Sequence, residues 1–455
     1  MENTLSENKM GVMPIGKLLF TMSAPMVASM LFQAFYNIVD SMFVARLSQD
    51  AMNAVSLAFP IHTLEIAFSG GTGVGINAYL SRSLGEKDYD KVNRIAGTGI
   101  FLYICTAFAF AVLGLLVAGP YYRFQTMNET IVRYGTAYVS ICTGLAFALF
   151  AQMCSERLLQ ATGRTNLAMI PQITGAVINM IMDPILIFGL FGFPRLEVAG
   201  AAVATVIGQS IAAVIGFTLN IRRNPEIRLS GSLIRPNRKI TAGIYRIGVP
   251  SIIMQISGSV MNFGLNKILI GFTEAATAAL GAYYKIQSFI FMPVMGMNNA
   301  LVPIVAYNLG AGNKDRVKKT AFLSMGAAVC IMIIGTLLFE LIPETLLGIF
   351  TPSEELLRVG TRAFRIIAVH FPVAAISIVS ISLCQAMGKP MFALITSVCR
   401  SLVFLLPSAY LLSLTGVLDN VWYSFLIGEL ASIILIVIFL RKTFRENGLL
   451  GKQPG

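Results

Sequence analysis

SLGEKDYDKV at residues 83–92 and NLGAGNKDRV at residues 308–317 are similar stretches that lie 225 positions apart in this chain of 455 residues. Other pairs keep the same offset without a gap: Pro25 with Pro250, Asn37 with Asn262, RYGT at 133–136 with RVGT at 358–361, and QATGR at 160–164 with QAMGK at 385–389. Self-similarity at a fixed period indicates repeated structural units. We therefore expect two structurally similar halves.

Long apolar stretches surround these motifs in both halves. A helix needs about 20 mainly apolar residues to cross a bilayer. Twelve such stretches occur, at 15–44, 52–81, 94–118, 131–161, 167–190, 197–221, 241–271, 276–306, 320–342, 359–386, 391–414 and 421–440. Because each half holds an even number of them, an axis along the membrane normal would relate the halves. The sequence predicts an all-α polytopic membrane protein with twelve transmembrane helices in two pseudo-symmetric six-helix bundles.

The composition excludes most other classes of protein. Hydrophobic residues make up 56% of the chain and charged residues only 12%, whereas soluble domains have about 25% charged residues. A soluble enzyme, a nucleic-acid-binding module and a disordered chain are therefore not expected. The six cysteines fall in apolar stretches without CxxC spacing, and the chain has only two histidines. These features predict neither a disulfide framework nor a structural metal site.

Glycines are concentrated in one stretch, GGTGVG at 70–75. This stretch lacks the lysine and the strand-to-helix setting of a phosphate-binding loop. Close packing between helices explains it better, because small residues let helix backbones approach each other.

Basic residues, which give the chain a net charge of +12, cluster in alternate loops. Lys and Arg accumulate in cytoplasmic loops of membrane proteins, so both termini and the loop from Arg222 to Ile240 are predicted to be cytoplasmic. The predicted division of the chain is as follows: N-terminal tail 1–14, N-lobe 15–222 with helices 1–6, inter-lobe loop 223–240, C-lobe 241–440 with helices 7–12, and C-terminal tail 441–455.

Ionisable residues within the spans are functional candidates, because a charge in hydrocarbon is costly. Asp40 in the first span and Asp183 in the fifth lie at similar depth in the outer leaflet. Helical spacing places Gln33, Tyr36 and Asn37 on the face of Asp40, Asn179 on that of Asp183, and Thr205 at the same level. The pattern predicts a cation-coupling site at Asp40, Asp183, Asn179, Asn37 and Thr205. Alternatively, each Asp is a separate packing or capping group.

Three further interpretations concern other residues of the spans. Lys285 and Glu429 lie at comparable depth and are predicted to form a structural ion pair. Aromatic and methionine side chains of the eighth span suit apolar and cationic ligands, so Gln287, Phe291 and Met295 join Gln33 and Tyr36 as predicted substrate contacts, with core packing as the alternative. Pro25 is a predicted hinge, or else a static kink.

The sequence resembles the multidrug and toxic compound extrusion (MATE) family, prokaryotic type, over nearly its whole length. The resemblance is carried by SAPMVASMLFQAFYNIVDSMFVARL at 23–47, by the two repeated motifs at 83–92 and 308–317, and by NMIMDPILIFG at 179–189. It implies antiport of Na⁺ or H⁺ against organic, often cationic, compounds. It also implies a cation site at Asp40, Asn179 and Asp183, with Tyr138 among its neighbours.

We therefore expect a multidrug efflux antiporter of the plasma membrane of a prokaryote, and not an enzyme. The coupling ion would be H⁺, or Na⁺ held by Asp40, Asn179 and Asp183, and no cofactor is expected. Small organic substrates and membrane lipid are the expected partners, with no nucleic acid, and the protein is expected to be a monomer. The alternative is a flippase for a lipid-linked or polyisoprenoid substrate, and an ion channel is a third interpretation.

Overall fold

The computed structural model describes residues 7–350 and 352–450. The first six residues of the predicted N-terminal tail and residues 451–455 of the predicted C-terminal tail lie outside the described residues.

The described chain is built of helices joined by short connections, and no strand occurs within it. The α-helices are α1 Lys9–Val12, α2 Ile15–Leu47, α3 Gln49–Gly85, α4 Tyr89–Gln125, α5 Glu129–Gly144, α6 Phe147–Ala161, α7 Thr165–Phe188, α8 Val198–Arg223, α9 Arg238–Leu269, α10 Glu274–Gly310, α11 Lys314–Leu341, α12 Pro343–Gly348, α13 Glu354–Ala368, α14 Phe371–Ala386, α15 Pro390–Val398, α16 Leu406–Ser413, α17 Leu418–Trp422 and α18 Ser424–Glu446. A π-helical segment, Cys399–Leu405, joins α15 to α16.

Most of these helices belong to stretches that are long and apolar enough to cross a membrane. Among the described residues, nine helical stretches qualify alone, and two more qualify as bent pairs, α5 with α6 and α13 with α14. The remaining predicted span is α9, which is long enough at 32 residues but less apolar, because uncharged polar residues such as Gln255 and Asn262 interrupt it. With α9 included, the twelve-helix architecture predicted from the sequence is confirmed.

Two predicted spans are broken rather than straight. The axes of α5 and α6 differ by 45°, and those of α13 and α14 by 52°. Pro372 stands at the start of α14, where a proline is tolerated but cannot continue the preceding helix. The two breaks, after Gly144 and after Ala368, fall within one residue of equivalent positions of the repeat.

The described chain folds into two compact units. Unit 1 comprises Ala28–Ile252 and the described residues up to Lys9, and unit 2 comprises Met10–Val27 and the described residues from Ile253 onward. The division falls inside α2 and inside α9, two residues after Pro25 and Pro250. Each proline removes a helical hydrogen bond and permits bending. The predicted lobes 15–222 and 241–440 differ from these units in the first parts of α2 and α9.

Packing within the units repeats at the same offset as the sequence. In unit 1, a Cβ on Gly71 of α3 would lie 2.9 Å from the carbonyl oxygen of Gly248 and would also collide with Ile252. In unit 2, a Cβ on Gly296 of α10 would lie 2.8 Å from the backbone nitrogen of Val27. Gly296 and Ile252 are the repeat equivalents of Gly71 and Val27. The close-packing interpretation of the glycine-rich stretch is confirmed.

Candidate functional site

The carboxyl groups of Asp40 on α2 and Asp183 on α7 lie close enough to interact with each other. Asp183 is fully buried, and Asp40 is half-buried. One oxygen of each carboxyl, Oδ1, is buried and accepts no hydrogen bond within the described chain. If both carboxyl groups were ionised, their negative charges would repel each other, whereas a proton shared between them would give one free oxygen a partner and remove the repulsion.

Asn179, one helical turn before Asp183, lies between Asp183 and α8. Its amide is satisfied on both sides when the nitrogen donates to Asp183 Oδ2 at 3.2 Å and the oxygen accepts from Thr205 Oγ1 at 3.1 Å. The Thr205 hydroxyl is also 3.0 Å from the carbonyl oxygen of Ala201. In this orientation Asn179 presents a donor, and not its oxygen, to the carboxyl pair.

The other predicted residues of unit 1 surround this pair to different degrees. Tyr36 and the buried Tyr138 lie within electrostatic range of both carboxyl groups. Gln33 is exposed and accepts a hydrogen bond of 2.9 Å from Gln172. Asn37 is exposed, and its backbone carbonyl accepts from Ser41. The structure thus brings Asp40, Asp183, Asn179 and Thr205 together, and the roles assigned to all these residues stay predictions.

Sequence reasoning missed a second ionisable pair in the same unit. His62 Nδ1 lies 3.0 Å from Glu65 Oε2 on α3, and Glu65 is 1% exposed. The His62 ring packs edge-on against Tyr138, with 5.6 Å between the ring centroids. Glu65 falls inside the predicted span 52–81, three residues after one of only two histidines. That spacing was the signal that could have revealed the pair.

In unit 2, the predicted ion pair between Lys285 and Glu429 is wrong. Glu429 Oε1 instead accepts a hydrogen bond of 2.8 Å from Arg400, and its Oε2 accepts one of 2.6 Å from Ser377. The Lys285 ammonium lies 5.6 Å from the ring centroid of Phe350. Arg400 belongs to the π-helical segment, whose wider turn is uncommon and often occurs at functional sites.

The predicted substrate contacts of α10 lie in unit 2 and have different surroundings. Phe291 packs edge-on against Phe371, with 5.3 Å between the ring centroids. Gln287 is half-buried, and Met295 is 40% exposed. The contact of Phe291 agrees with core packing, the alternative interpretation for this helix. A role of these residues in substrate binding stays a prediction.

Comparison with known families agrees with the internal repeat. The family model described as MatE matches the chain twice, over residues 25–185 and 250–411. The starts of the two matches are separated by the offset found within the sequence itself, and together they cover most of the chain. The chain belongs to the MatE family. The resemblance inferred from the sequence motifs is thereby confirmed.

Curated relatives of this MatE protein are transporters. The multidrug export protein MepA of Staphylococcus aureus (strain MRSA252) is 27% identical over 447 residues, which cover 94% of each chain. A FAD transporter of Shewanella oneidensis is 26% identical over 401 residues, which cover 88% of each chain. These relatives support a transporter rather than an enzyme.

The fold is also that of solved structures. A multidrug resistance MATE family transporter described in an outward-facing conformation matches with a TM-score of 0.92 and 23% sequence identity, over 99% of this chain and 100% of that one. At this identity the likeness establishes the fold alone. The family match and the curated relatives together make this MatE protein a transporter, and its helices include many long and apolar enough to span a membrane.

Proposed function

We propose that this protein exports small organic compounds in exchange for protons that bind at Asp40 and Asp183. The observation that carries the proposal is the meeting of these two carboxyl groups, each with a buried oxygen that accepts no hydrogen bond in the described chain. Charges inside a membrane are costly and often mark ion pathways. A proton is the smallest ligand that would neutralise this pair.

The orientation of Asn179 favours H⁺ over Na⁺ as the coupling ion. A metal cation of this kind is held by several oxygen atoms. When the Asn179 amide is oriented so that both of its atoms have hydrogen-bond partners, its oxygen faces Thr205 and its nitrogen faces Asp183. Few oxygens beyond the two carboxyl groups would then remain for Na⁺. Protonation and drug binding need only favour different conformations for each to influence the other.

Alternating access supplies the mechanical part of the proposal. The boundary between the two compact units falls within α2 just after Pro25 and within α9 just after Pro250. We propose Pro25 as a hinge. The cluster of basic residues from Arg222 to Lys239 supports a cytoplasmic location for this loop and for both termini, in the plasma membrane of a prokaryote. We further propose that the protein acts as a monomer.

The substrate class rests on the relatives and on the predicted contacts. Relatives described as a multidrug export protein and as a FAD transporter support small organic substrates. We propose an organic cation, contacted by aromatic and amide side chains. These are Gln33, Tyr36 and Tyr138 in unit 1 and Gln287, Phe291 and Met295 in unit 2.

The test is transport by the purified full-length protein in liposomes. Uptake of ethidium would be followed under a proton gradient alone and under a Na⁺ gradient alone, with FAD as a second substrate. We expect the proton gradient to drive ethidium uptake, and we expect Asp40→Asn and Asp183→Asn to reduce it at least about 10-fold because the shared proton is lost. Asp90→Asn, an exposed carboxyl at the start of α4, is the matched control and should transport normally.

Other results would contradict specific parts of the proposal. Uptake driven by a Na⁺ gradient but not by a proton gradient would show that Na⁺, and not H⁺, is the coupling ion. Transport of FAD but not of ethidium would contradict an organic cation as the substrate. Normal transport by both site variants would remove the carboxyl pair from the mechanism. Movement of an anionic lipid without any gradient would favour the flippase.

A further inference from the structure

We propose that His62 and Glu65 form a second proton-binding pair, energetically linked to the Asp40 and Asp183 carboxyl groups. The inference rests on the proposed proton-coupled transport and adds a titratable group to it. Proton binding at one pair would then change the proton affinity of the other pair.

The His62 and Glu65 pair joins a buried carboxyl group to a partly exposed imidazole. The two side chains are one helical turn apart on the same face of α3, and their closest atoms are 3.0 Å apart. Two of their atoms, Glu65 Oε1 and His62 Nε2, are buried with no hydrogen-bond partner in the described chain. A fully buried carboxylate is costly unless it is paired or protonated. Glu65 and the imidazole therefore determine each other's charge.

The pair lies beside the carboxyl site rather than in a separate region. Tyr138 contacts the His62 ring and is also within electrostatic range of Asp40 and Asp183. Asp40 itself interacts electrostatically with His62. Since opposite charges at such range attract, a protonated imidazole favours the ionised form of Asp40. Protonation of Asp40 would in turn weaken the hold of His62 on its proton.

Few other titratable groups interfere with this linkage. The thiol of Cys142, one turn after Tyr138 on α5, faces His62. The two tyrosines of α4 are engaged elsewhere: Tyr121 donates to the carbonyl of Leu57, and Tyr122 donates to that of Ala54. Charged residues of the remaining neighbouring helices lie apart. Arg157 of α6 lies beside Gly73, which is two helical turns beyond Glu65 on α3. The Glu156 carboxyl group accepts a hydrogen bond from Gln152, and Arg246 of α9 is exposed.

The chain is well suited to a direct test because it contains only two histidines. The second, His370, is buried in unit 2 with its Nδ1 facing the carbonyl of Ile367. In protein labelled with ¹⁵N-histidine and held in lipid nanodiscs, each imidazole gives its own NMR signals. His62→Gln identifies the His62 signal by its disappearance, and His370 serves as an internal reference for folding.

The measurement is the pH midpoint at which the His62 imidazole titrates. We expect it to differ between the wild type and Asp40→Asn by about half a pH unit or more, because a nearby charge is removed. The His370 signals should not change, and Asp90→Asn should match the wild type. If Asp40→Asn disturbs the His370 signals, Asp183→Asn takes its place. Equal His62 midpoints in the wild type and in the folded site variant would overturn the inference.

Transport assays separate this inference from the proposed function. We expect His62→Gln and Glu65→Gln to bind ethidium normally but to shift the pH profile of proton-driven uptake. If the wild type does not transport, the proposed function fails whatever the NMR result. If Asp40→Asn loses transport while the His62 midpoint and the pH profile of His62→Gln stay unchanged, only the inference fails.

Discussion

At the scale of single residues, Lys9 has surroundings that give it a defined pH dependence. It lies near Arg164 and Glu226, which form an ion pair of 3.1 Å. Burial is the largest cause that holds the pKa of Lys9 below its usual value, Arg164 adds to the lowering, and Glu226 opposes it. Between this lowered pKa and the unfolded value of 10.5, the unfolded chain binds more protons, so stability rises with pH.

The corresponding prediction concerns Lys9→Met. At pH 7 this change removes the cost of a partly buried cation, so we expect a higher melting temperature in detergent. The corresponding gain in the free energy of unfolding should be less than about 1 kcal/mol. The gain should shrink as the pH approaches 10.5, where the wild-type lysine loses its charge in both states. The exposed Lys17 provides the control, since Lys17→Met should show no such trend. A loss of stability in Lys9→Met at neutral pH would contradict this account.

A second prediction concerns the ion pair of Glu429 with Arg400. Glu429→Gln leaves the partly exposed Arg400 guanidinium without its partner, so the cost should be below the value of about 3–5 kcal/mol typical of fully buried pairs. We expect a fall in melting temperature. The double variant Arg400→Met with Glu429→Gln should recover part of it, because no unpaired charge remains. A double variant less stable than Glu429→Gln alone would show that the pairing is not what matters.

Individual contacts were predictable only where helical periodicity orders them. Periodicity and depth group Asp40, Asp183, Asn179 and Thr205, because these polar residues of the spans lie at one level. Depth along a span does not specify which helices are neighbours, and so Lys285 was paired with Glu429 in place of Arg400. The repeat does not mark the pair of His62 and Glu65, since the equivalent positions hold Gln287 and Ile290, and only its three-residue spacing indicates it.

At the scale of helices, the glycines of α3 and α10 set how closely other helices approach. We expect Gly71→Ala and Gly296→Ala each to lower stability by about 1–3 kcal/mol, because each new methyl group would meet backbone atoms within 3 Å. Gly281→Ala on α10 is the matched control. A Cβ there has no atom within 4 Å, and alanine favours the helix by about 0.5–1 kcal/mol. Equal melting temperatures of all three variants would contradict a packing role for Gly71 and Gly296.

The apolar pattern of the sequence does not predict the breaks within spans. Residues 131–161 and 359–386 are continuous apolar stretches, yet the structure bends each of them. Hydropathy indicates the length of an apolar segment, whereas a bend within the segment depends on local backbone contacts. Pro372 was the one local signal, and no proline stands at the equivalent break after Gly144.

At the scale of the whole molecule, the internal repeat determined most of what could be predicted. The offset of 225 residues gave two halves, the family model matches each half once, and glycine packing repeats at the same interval. The compact units do not follow the halves completely, because the first parts of α2 and α9 belong with the residues of the other half. Such an exchange depends on three-dimensional packing, which a linear pattern does not contain.

A cut between the halves should therefore separate residues that need each other. If the chain is divided after Ser230, the C-terminal fragment lacks Met10–Val27 of unit 2, and the N-terminal fragment lacks the part of α9 that belongs to unit 1. We expect neither fragment to accumulate alone and both to do so when expressed together, as judged by immunoblot of membranes. Stable accumulation of a single fragment would contradict this expectation.

The division inside α2 also has a consequence for biosynthesis. Met10–Val27 leaves the ribosome early, but the rest of its unit begins only at Ile253. At the usual rate of about 5–20 residues per second, this segment waits on the order of tens of seconds before its packing partners exist. During that interval the bilayer, the insertion machinery or a chaperone must shelter a helix whose neighbours have not yet been translated.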